Sequence, residues 1–255
     1  MPRLTDVIAI PSNINPGLNG TRNGHMLSLL GNPRSSYDQE CRPVTNMALK
    51  PRMKTQSVGP FNATGFDLAL ASLRAVMTDI KAEQRTVYEA LGTAGMLCCR
   101  YVRGSASAIS NHAWGTAIDL KINGVLDRRG NNKVQYGLTL IAPIFNRHKW
   151  YWGAGFPIED GMHFEVSLQL LREWRDEGLL FGPVTHQADS VLNMGDRGAE
   201  VVTLQKALNR RGEDLEIDGI FGPATRAAVV AFQARNGLPA DGFASASMLD
   251  RLRSR

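Results

Sequence analysis

The spacing of a few polar residues in the middle of the chain constrains the fold most. Residues 110–119 read Ser-Asn-His-Ala-Trp-Gly-Thr-Ala-Ile-Asp, and Asp160 and His163 follow in the run Asp-Gly-Met-His-Phe-Glu. His112, Asp119 and His163 offer two imidazoles and one carboxylate, a ligand set that zinc accepts. A catalytic zinc site has three protein ligands and keeps a fourth position open, and Asp160 can then act as a base beside it. The pattern predicts one zinc ion in a catalytic site.

Alternating hydrophobicity places two of these residues on strands. Residues 116–122 alternate between apolar and polar side chains, so Asp119 points away from the apolar face. Residues 162–166 alternate in the same way and predict a second strand that carries His163, with Asp160 on the loop before it. A base that lies one loop away from the metal can reach a water molecule there.

Each of these residues also has an ordinary structural interpretation. A single His in a domain of this size is more often a structural or surface residue than a metal ligand. Asp119 could end a hairpin, and Asp160 could be a turn former ahead of Gly161. We favour the metal site because the residue types, their order and their strand positions agree. Glu159 and Glu165 are the alternatives to Asp160 as the base.

The same residues carry a resemblance to a known family. The pattern Ser110-x-His-x-x-Gly-x-Ala-x-Asp119, followed by Asp160-x-x-His163-Phe-Glu, resembles the zinc peptidases that comprise D-alanyl-D-alanine carboxypeptidases and phage L-alanyl-D-glutamate endopeptidases. The resemblance extends over residues 61–166.

The resemblance implies roles for individual residues. Asp160 would be the general base, and Arg103 would support the substrate carbonyl or its anionic group. Ser110 and Trp152 would be substrate contacts. The ligands of the single zinc ion would be His112, Asp119 and His163.

The implied reaction is hydrolysis of a peptide bond in the stem peptides of peptidoglycan. The carboxypeptidase members usually have Glu as the base, whereas Asp160 is similar to the endopeptidase branch and favours cleavage between L-Ala and D-Glu. A D-Ala-D-Ala carboxypeptidase is the alternative enzyme. An inactive, zinc-containing wall-binding protein is the alternative of another class.

A second pattern covers the C-terminal end. Apolar residues recur at helical spacing in 201–208 and in 229–232. The sequence Asp-Gly-x-Phe-Gly-x-x-Thr at 218–225 recurs at 241–247 in a degraded form that has lost the second Gly and the Thr. The pattern resembles the small three-helix peptidoglycan-binding domain. It implies an all-α domain with peptidoglycan as its partner, whose last helix has the weakest sequence support.

The length of 255 residues agrees with two domains of unequal size. We expect a zinc peptidase domain over residues 1–183, of which residues 1–60 form an N-terminal arm rich in Asn, Gly and Pro. A linker is expected over 184–193, where apolar periodicity is weak, and the peptidoglycan-binding domain over 194–255.

Hydrophobic periodicity predicts an α+β catalytic domain. It indicates a helix from a capping pattern at Thr64, a strand over 97–102 that ends at Arg103, a two-residue hairpin turn at 123–124 and a helix over 138–148. Together these elements predict a small antiparallel sheet that bears the metal and is flanked by helices.

Charge and composition limit the partners and the compartment. The net charge is +5, but acidic and basic residues are interspersed, so we expect no nucleic acid partner. Cys41, Cys98 and Cys99 have no CxxC spacing, and we expect neither a disulfide framework nor a cysteine zinc site. No segment has the pattern of a signal peptide or the roughly 20 apolar residues of a membrane span. We therefore expect a protein that is made in the reducing cytoplasm and does not insert into membranes, and we expect it to be a monomer. The resemblance to phage endopeptidases implies that it reaches the wall by holin-type release.

Overall fold

The computed structural model describes residues 2–180, 192, 194–238, 240 and 242–253. Most of the linker expected over 184–193 therefore lies outside the described residues. None of the helices described in these ranges is both long and apolar enough to cross a membrane. The strands are β1 (Val7–Ala9), β2 (Met53–Ser57), β3 (Asn62–Phe66), β4 (Leu91–Gly95), β5 (Ala117–Ile122), β6 (Val125–Leu126), β7 (Lys133–Gln135), β8 (Trp150–Trp152) and β9 (His163–Val166). The α-helices are α1 (Asn23–Leu30), α2 (Asp67–Glu83), α3 (Arg85–Ala90), α4 (Tyr136–Arg147), α5 (Leu168–Asp176), α6 (Ala199–Asn209), α7 (Pro223–Arg235) and α8 (Ala246–Arg253).

A five-stranded antiparallel sheet carries the centre of the catalytic region. Its strands run in the order β4-β5-β9-β8, and the short β6 pairs with β5. The turn between β5 and β6 has positive φ at both Asn123 (50°) and Gly124 (77°), as a two-residue hairpin turn requires. On the core face, Phe164 of β9 stacks on Phe145 of α4 with ring centroids 4.0 Å apart. The expected α+β fold, a small antiparallel sheet flanked by helices, is confirmed.

Two local predictions are wrong. Thr64 does not cap a helix, because it lies in β3 opposite Thr55 of β2, and α2 begins only at Asp67. Residues 97–102 do not form a regular strand. They make isolated bridges to the loops on either side, through Arg42 with Cys99 and Tyr101 with Ile109. In both cases the backbone pairs with residues outside the segment, and the pattern within the segment does not indicate this pairing.

The prediction that the cysteines form no disulfide is also wrong. Cys41 and Cys98 are bonded to each other across a sequence separation of 57 residues, with their Cα atoms 4.9 Å apart. Cys99 is free and fully buried, and its thiol donates to the Ala113 carbonyl at 3.2 Å. Sequence spacing did not indicate this pair because the bridge between Arg42 and Cys99 brings the two segments together. The disulfide ties the N-terminal region to the segment that leads into the His112 turn.

The C-terminal residues form three helices around a hydrophobic cluster of their own, as expected. Val201, Leu204 and Phe232 are among its buried members. The degraded sequence repeat has a structural counterpart. Gln205 accepts a hydrogen bond from the Gly219 backbone N–H at 3.0 Å, and Gln233 accepts one from Gly242 at 2.9 Å. Each Gln of the repeat thus fixes the glycine of the Asp-Gly pair that follows its helix. The helix with the weakest sequence support, α8, is present.

Candidate metal centre

Neighbouring elements place three potential ligands at one end of the central sheet. Asp119 of β5 and His163 of β9 lie opposite each other in the antiparallel register. His112 lies in the 3₁₀ turn Asn111–Trp114, just before β5. Gly115 ends this turn with φ 65°, and a Cβ there would lie 2.7 Å from the Phe66 nitrogen. Only glycine fits this backbone conformation and this close approach to β3, so Gly115 fixes where the turn enters the strand.

The three ligand atoms form a nearly equilateral triangle. His112 Nε2 lies 3.3 Å from Asp119 Oδ1 and 3.3 Å from His163 Nδ1, and His163 Nδ1 lies 3.2 Å from Asp119 Oδ1. Within the described ranges, these three side chains are the one group of His, Cys, Asp or Glu arranged to hold a metal ion. Tetrahedral zinc with bonds of about 2.0–2.1 Å has ligand atoms about 3.3–3.4 Å apart. The donor set and the spacing fit zinc with one face open.

Both imidazoles are oriented by a second hydrogen bond. His112 Nδ1 lies 3.1 Å from the Met96 carbonyl oxygen, and His163 Nε2 lies 3.0 Å from Glu165 Oε2. Because a carbonyl and a carboxylate only accept, both nitrogens donate. The opposite nitrogens, His112 Nε2 and His163 Nδ1, face the ligand triangle, where each can bind a metal ion after giving up its proton. This arrangement is typical of histidines that bind a metal.

The electrostatics of the triangle are those of a site prepared for a cation. Burial acts to raise the pKa of Asp119, but the hydrogen bonds from His112 and His163 outweigh it and hold that pKa well below its usual range. Burial acts to lower the pKa of His163, but its hydrogen bonds to Asp119 and Glu165 outweigh it and raise the pKa to about 10. The Asp119 carboxylate therefore stays ionised, and positive charge at this point is stabilised.

Asp160 lies beside the triangle without belonging to it. Its backbone N–H donates to the Gly153 carbonyl at 2.9 Å, and its carbonyl accepts from the His163 N–H at 3.1 Å. Its Oδ2 lies 3.5 Å from Arg129 Nε. Its Oδ1 is buried and has no hydrogen-bond partner among the described residues. Burial raises the pKa of Asp160 above its usual value, which suits a carboxylate that exchanges protons.

The ligand triangle opens into a cleft of about 630 Å³. The cleft is lined by Asp160, by Ser110 and by a basic group that comprises Arg100, Arg103 and Arg129. The sequence analysis identified Arg103 and Ser110 but missed Arg100 and Arg129. Arg100 lies three residues before Arg103, so its closeness in sequence to a predicted site residue could have indicated it. No such signal exists for Arg129, because only the fold brings the β6–β7 loop to the cleft.

The structure contradicts the expected substrate contact of Trp152. This side chain is fully buried, and its indole N–H donates to the Gly161 carbonyl at 2.7 Å. Its ring stacks on Phe164 with a centroid distance of 5.9 Å. The aromatic residue at the cleft is instead Phe156, which lies 5.5 Å from the His163 ring. Alternation in β8 places Trp152 on the core side, a choice of face that the aromatic run Trp-Tyr-Trp left open.

Comparison with known proteins identifies two families in separate parts of the chain. Residues 103–166 match the family model described as D-alanyl-D-alanine carboxypeptidase. Residues 197–252 match the model described as a putative peptidoglycan binding domain.

Individual relatives match over short segments. The zinc D-Ala-D-Ala carboxypeptidase of Streptomyces albus G is 40% identical over 80 residues, which is 30% of this chain and 31% of that protein. Among solved structures, the Burkholderia AP3 phage endolysin is 50% identical over 25% of each chain, with a TM-score of 0.25. A peptidoglycan-binding protein from Clostridioides difficile is 40% identical over 24% of this chain and 39% of that one, with a TM-score of 0.24. The matched segments thus span about a third of the curated relative and a quarter of the endolysin.

The family match over residues 103–166 covers the whole ligand triangle and Asp160. It therefore agrees with the donor set, the spacing and the open face described above. Residues 103–166 belong to the D-alanyl-D-alanine carboxypeptidase family of zinc peptidases, and residues 197–252 belong to the family of putative peptidoglycan binding domains.

Proposed function

We propose that this protein is a zinc-dependent peptidase that hydrolyses peptide bonds in the stem peptides of peptidoglycan. The observation that carries the proposal is the triangle of His112 Nε2, Asp119 Oδ1 and His163 Nδ1, which opens into a cleft beside an ionisable carboxylate. A structural zinc tends to be closed by a fourth protein ligand, so an open face argues against a purely structural metal. The Cys41–Cys98 disulfide suits a protein that works outside a reducing compartment.

The chain supplies the acid–base and charge-stabilising parts of this reaction. The three ligands would hold the zinc ion, which when bound would supply Lewis-acid activation of a water molecule and of the scissile carbonyl. Asp160 takes the proton of the attacking water at its carboxylate and returns it to the leaving amine. Arg129 holds Oδ2 of Asp160 and leaves the unpaired Oδ1 as the proton-accepting atom. Arg103, on the cleft wall, stabilises the negative charge that develops on the substrate.

Two scissile bonds are compatible with this chemistry. We favour the bond between L-Ala and D-Glu, because Asp in the position of the base resembles the endopeptidase branch. The endolysin that matches part of the chain agrees with a role in lysis, and by analogy with phage endolysins we infer release through a holin. The second candidate is D-Ala-D-Ala carboxypeptidase activity, favoured by the name of the curated relative.

Mass spectrometry of digested sacculi separates these candidates. We expect digestion by the full-length protein with zinc to expose new amino termini on D-Glu. Release of free D-alanine would instead establish the carboxypeptidase. Sacculi that stay intact under conditions in which the protein holds stoichiometric zinc would leave the wall-binding, inactive alternative and overturn the proposal.

The C-terminal helices are expected to deliver the enzyme to its substrate. Deleting residues 192–255 should slow the lysis of intact sacculi, because binding to the wall raises the effective concentration of stem peptides at the cleft. Hydrolysis of soluble muropeptides is expected to proceed at a similar rate with and without the tail. The two rates are measured side by side over a range of enzyme concentrations.

The soluble substrate serves as the internal control for this deletion. Met194, Gly195 and Asp196 line part of the cleft, so a fall in both rates would show that the tail belongs to the active site. Equal rates on sacculi at every concentration would contradict the targeting role. The domain boundary that we propose, near residues 184–193, is tested by the same truncated protein, which should fold and stay soluble without the tail.

A further inference from the structure

The carboxylate of Glu165 lies directly behind the metal ligand His163. Its Oε2 accepts hydrogen bonds from His163 Nε2 at 3.0 Å and from Asn111 Nδ2 at 2.7 Å. Its Oε1 accepts from the backbone N–H of Thr21 at 2.8 Å and from the Thr21 hydroxyl at 3.3 Å. The side chain is 2% exposed. Both oxygens are thus held by protein donors, and half of those donors come from the N-terminal arm.

The arm is fixed on both sides of Thr21. Asn15 exchanges two hydrogen bonds with the Trp152 backbone, at 2.9 and 2.7 Å. Asn23 exchanges two with the Ile109 backbone, both at 2.7 Å. Between these anchors, Asn111 Nδ2 donates to the Thr21 carbonyl at 3.0 Å and to its hydroxyl at 2.9 Å. Hydrogen bonds therefore fix the segment 15–23 at both ends and at Thr21, the residue that contacts Glu165.

A buried carboxylate stays in one position only if the groups that donate hydrogen bonds to it are also held in place. Without the Thr21 donors, Oε1 of Glu165 would be buried and unpaired, which is unfavourable enough to move the side chain. A displaced Glu165 would no longer fix the tautomer and the ring orientation of His163. Losing an outer partner of a metal-binding His lowers metal affinity by roughly 10–100-fold.

We propose that the N-terminal segment 15–23 is a part of the metal centre. Thr21 is a positioning residue: it fixes Glu165, Glu165 orients His163, and the affinity for zinc depends on this relay. The inference rests on the metal site of the proposed function. It assigns a role to part of the N-terminal arm, which the sequence analysis described only as rich in Asn, Gly and Pro.

Zinc affinity of the full-length protein, measured by competition with a chromophoric chelator, tests the relay. Glu165→Gln should weaken zinc binding by roughly 10–100-fold. All neighbours of this carboxylate donate, so the amide nitrogen of Gln must face one of them. Thr21→Val keeps the backbone donor and loses the hydroxyl, so we expect a smaller loss of roughly fivefold, the value of one hydrogen bond. Thr21→Ser should restore the affinity.

Two further measurements distinguish positioning from simple packing. In the Glu165→Gln background, Thr21→Val should cause no further loss of affinity, because the relay is already broken. The visible spectrum of the cobalt-substituted protein should change in Thr21→Val, since it reports the ligand geometry. Gln169→Ala is the matched control: Gln169 accepts from the Asn19 backbone at 3.0 Å and anchors the same segment without contacting Glu165. It should leave zinc affinity unchanged.

The inference is overturned if wild type and Thr21→Val bind zinc equally well and give the same cobalt spectrum. The relay through Thr21 and Glu165 is overturned if Gln169→Ala weakens zinc binding as much as Thr21→Val does, because any loosening of the arm would then suffice. If the wild-type protein itself binds no zinc, the proposed function fails as well, and this outcome is distinct from the other two.

Discussion

Replacing His112 by Ala is expected to abolish both zinc binding and hydrolysis. The substitution removes one of three protein ligands and leaves Asp119 and His163 as a two-ligand site. The loss of affinity should exceed the roughly 10–100-fold that follows from losing an outer partner. Metal content after dialysis, together with muropeptide turnover, measures the effect. Circular dichroism should show the fold of the wild type, because His112 lies in the turn before β5 and the strands of the sheet are untouched.

His148→Ala is the matched control for this experiment. His148 bonds Asp79 through Nε2 at 2.8 Å and takes no part in the ligand triangle. The His148→Ala variant should keep stoichiometric zinc and full activity. If purified wild-type protein carries no stoichiometric zinc and added zinc changes nothing, the metal-site proposal is wrong.

The strands that carry the ligands could be predicted because their signals are local. The alternation around Asp119 and around His163 indicates two short strands with a polar residue aimed away from the core. Helix α4 was also predicted, although Pro143 lies inside it. What the sequence does not give is the register that sets Asp119 opposite His163. The ordered spacing of the ligands suggested their proximity, and the pairing of β5 with β9 produces it.

The features that sequence analysis missed depend on partners far apart in the chain. The disulfide joins residues 57 positions apart, and Thr21 bonds a side chain 144 positions away. No periodicity or spacing rule relates such pairs before the fold is known. The family resemblance implies a substrate contact for Trp152, but aromatic residues occur both in cores and in clefts, and only the structure shows which face of β8 this side chain occupies.

The C-terminal repeat shows the opposite case, in which a sequence pattern has a direct physical cause. The Gln and Asp-Gly elements recur because a glutamine side chain accepts from the backbone N–H of a glycine in both copies, Gln205 from Gly219 and Gln233 from Gly242. The second copy loses the Gly and Thr of the first but keeps this contact. The third helix therefore forms although its sequence pattern is degraded.

Replacing Asp160 by Asn is expected to lower turnover by roughly 100-fold or more while zinc stays bound, the loss typical of a missing general base. Asn keeps the size of the side chain but cannot accept a proton at physiological pH. Asp160 lies outside the ligand triangle, so metal content and thermal stability should match the wild type. Turnover of muropeptides and zinc content, measured on the same preparation, provide the test.

The neighbouring carboxylates make this test specific to the role of Asp160. Glu159 is buried, and its Oε1 accepts from the Asn131 backbone N–H, so Glu159→Gln should leave both turnover and zinc content close to wild type. Glu165→Gln should lose zinc affinity instead, because Glu165 holds His163. Near-normal turnover in Asp160→Asn would move the base to one of these two residues. Loss of zinc in the same variant would make Asp160 a ligand. The assignment of Asp160 as the base therefore requires one result: zinc retained and catalysis lost, in this variant and in neither of the other two.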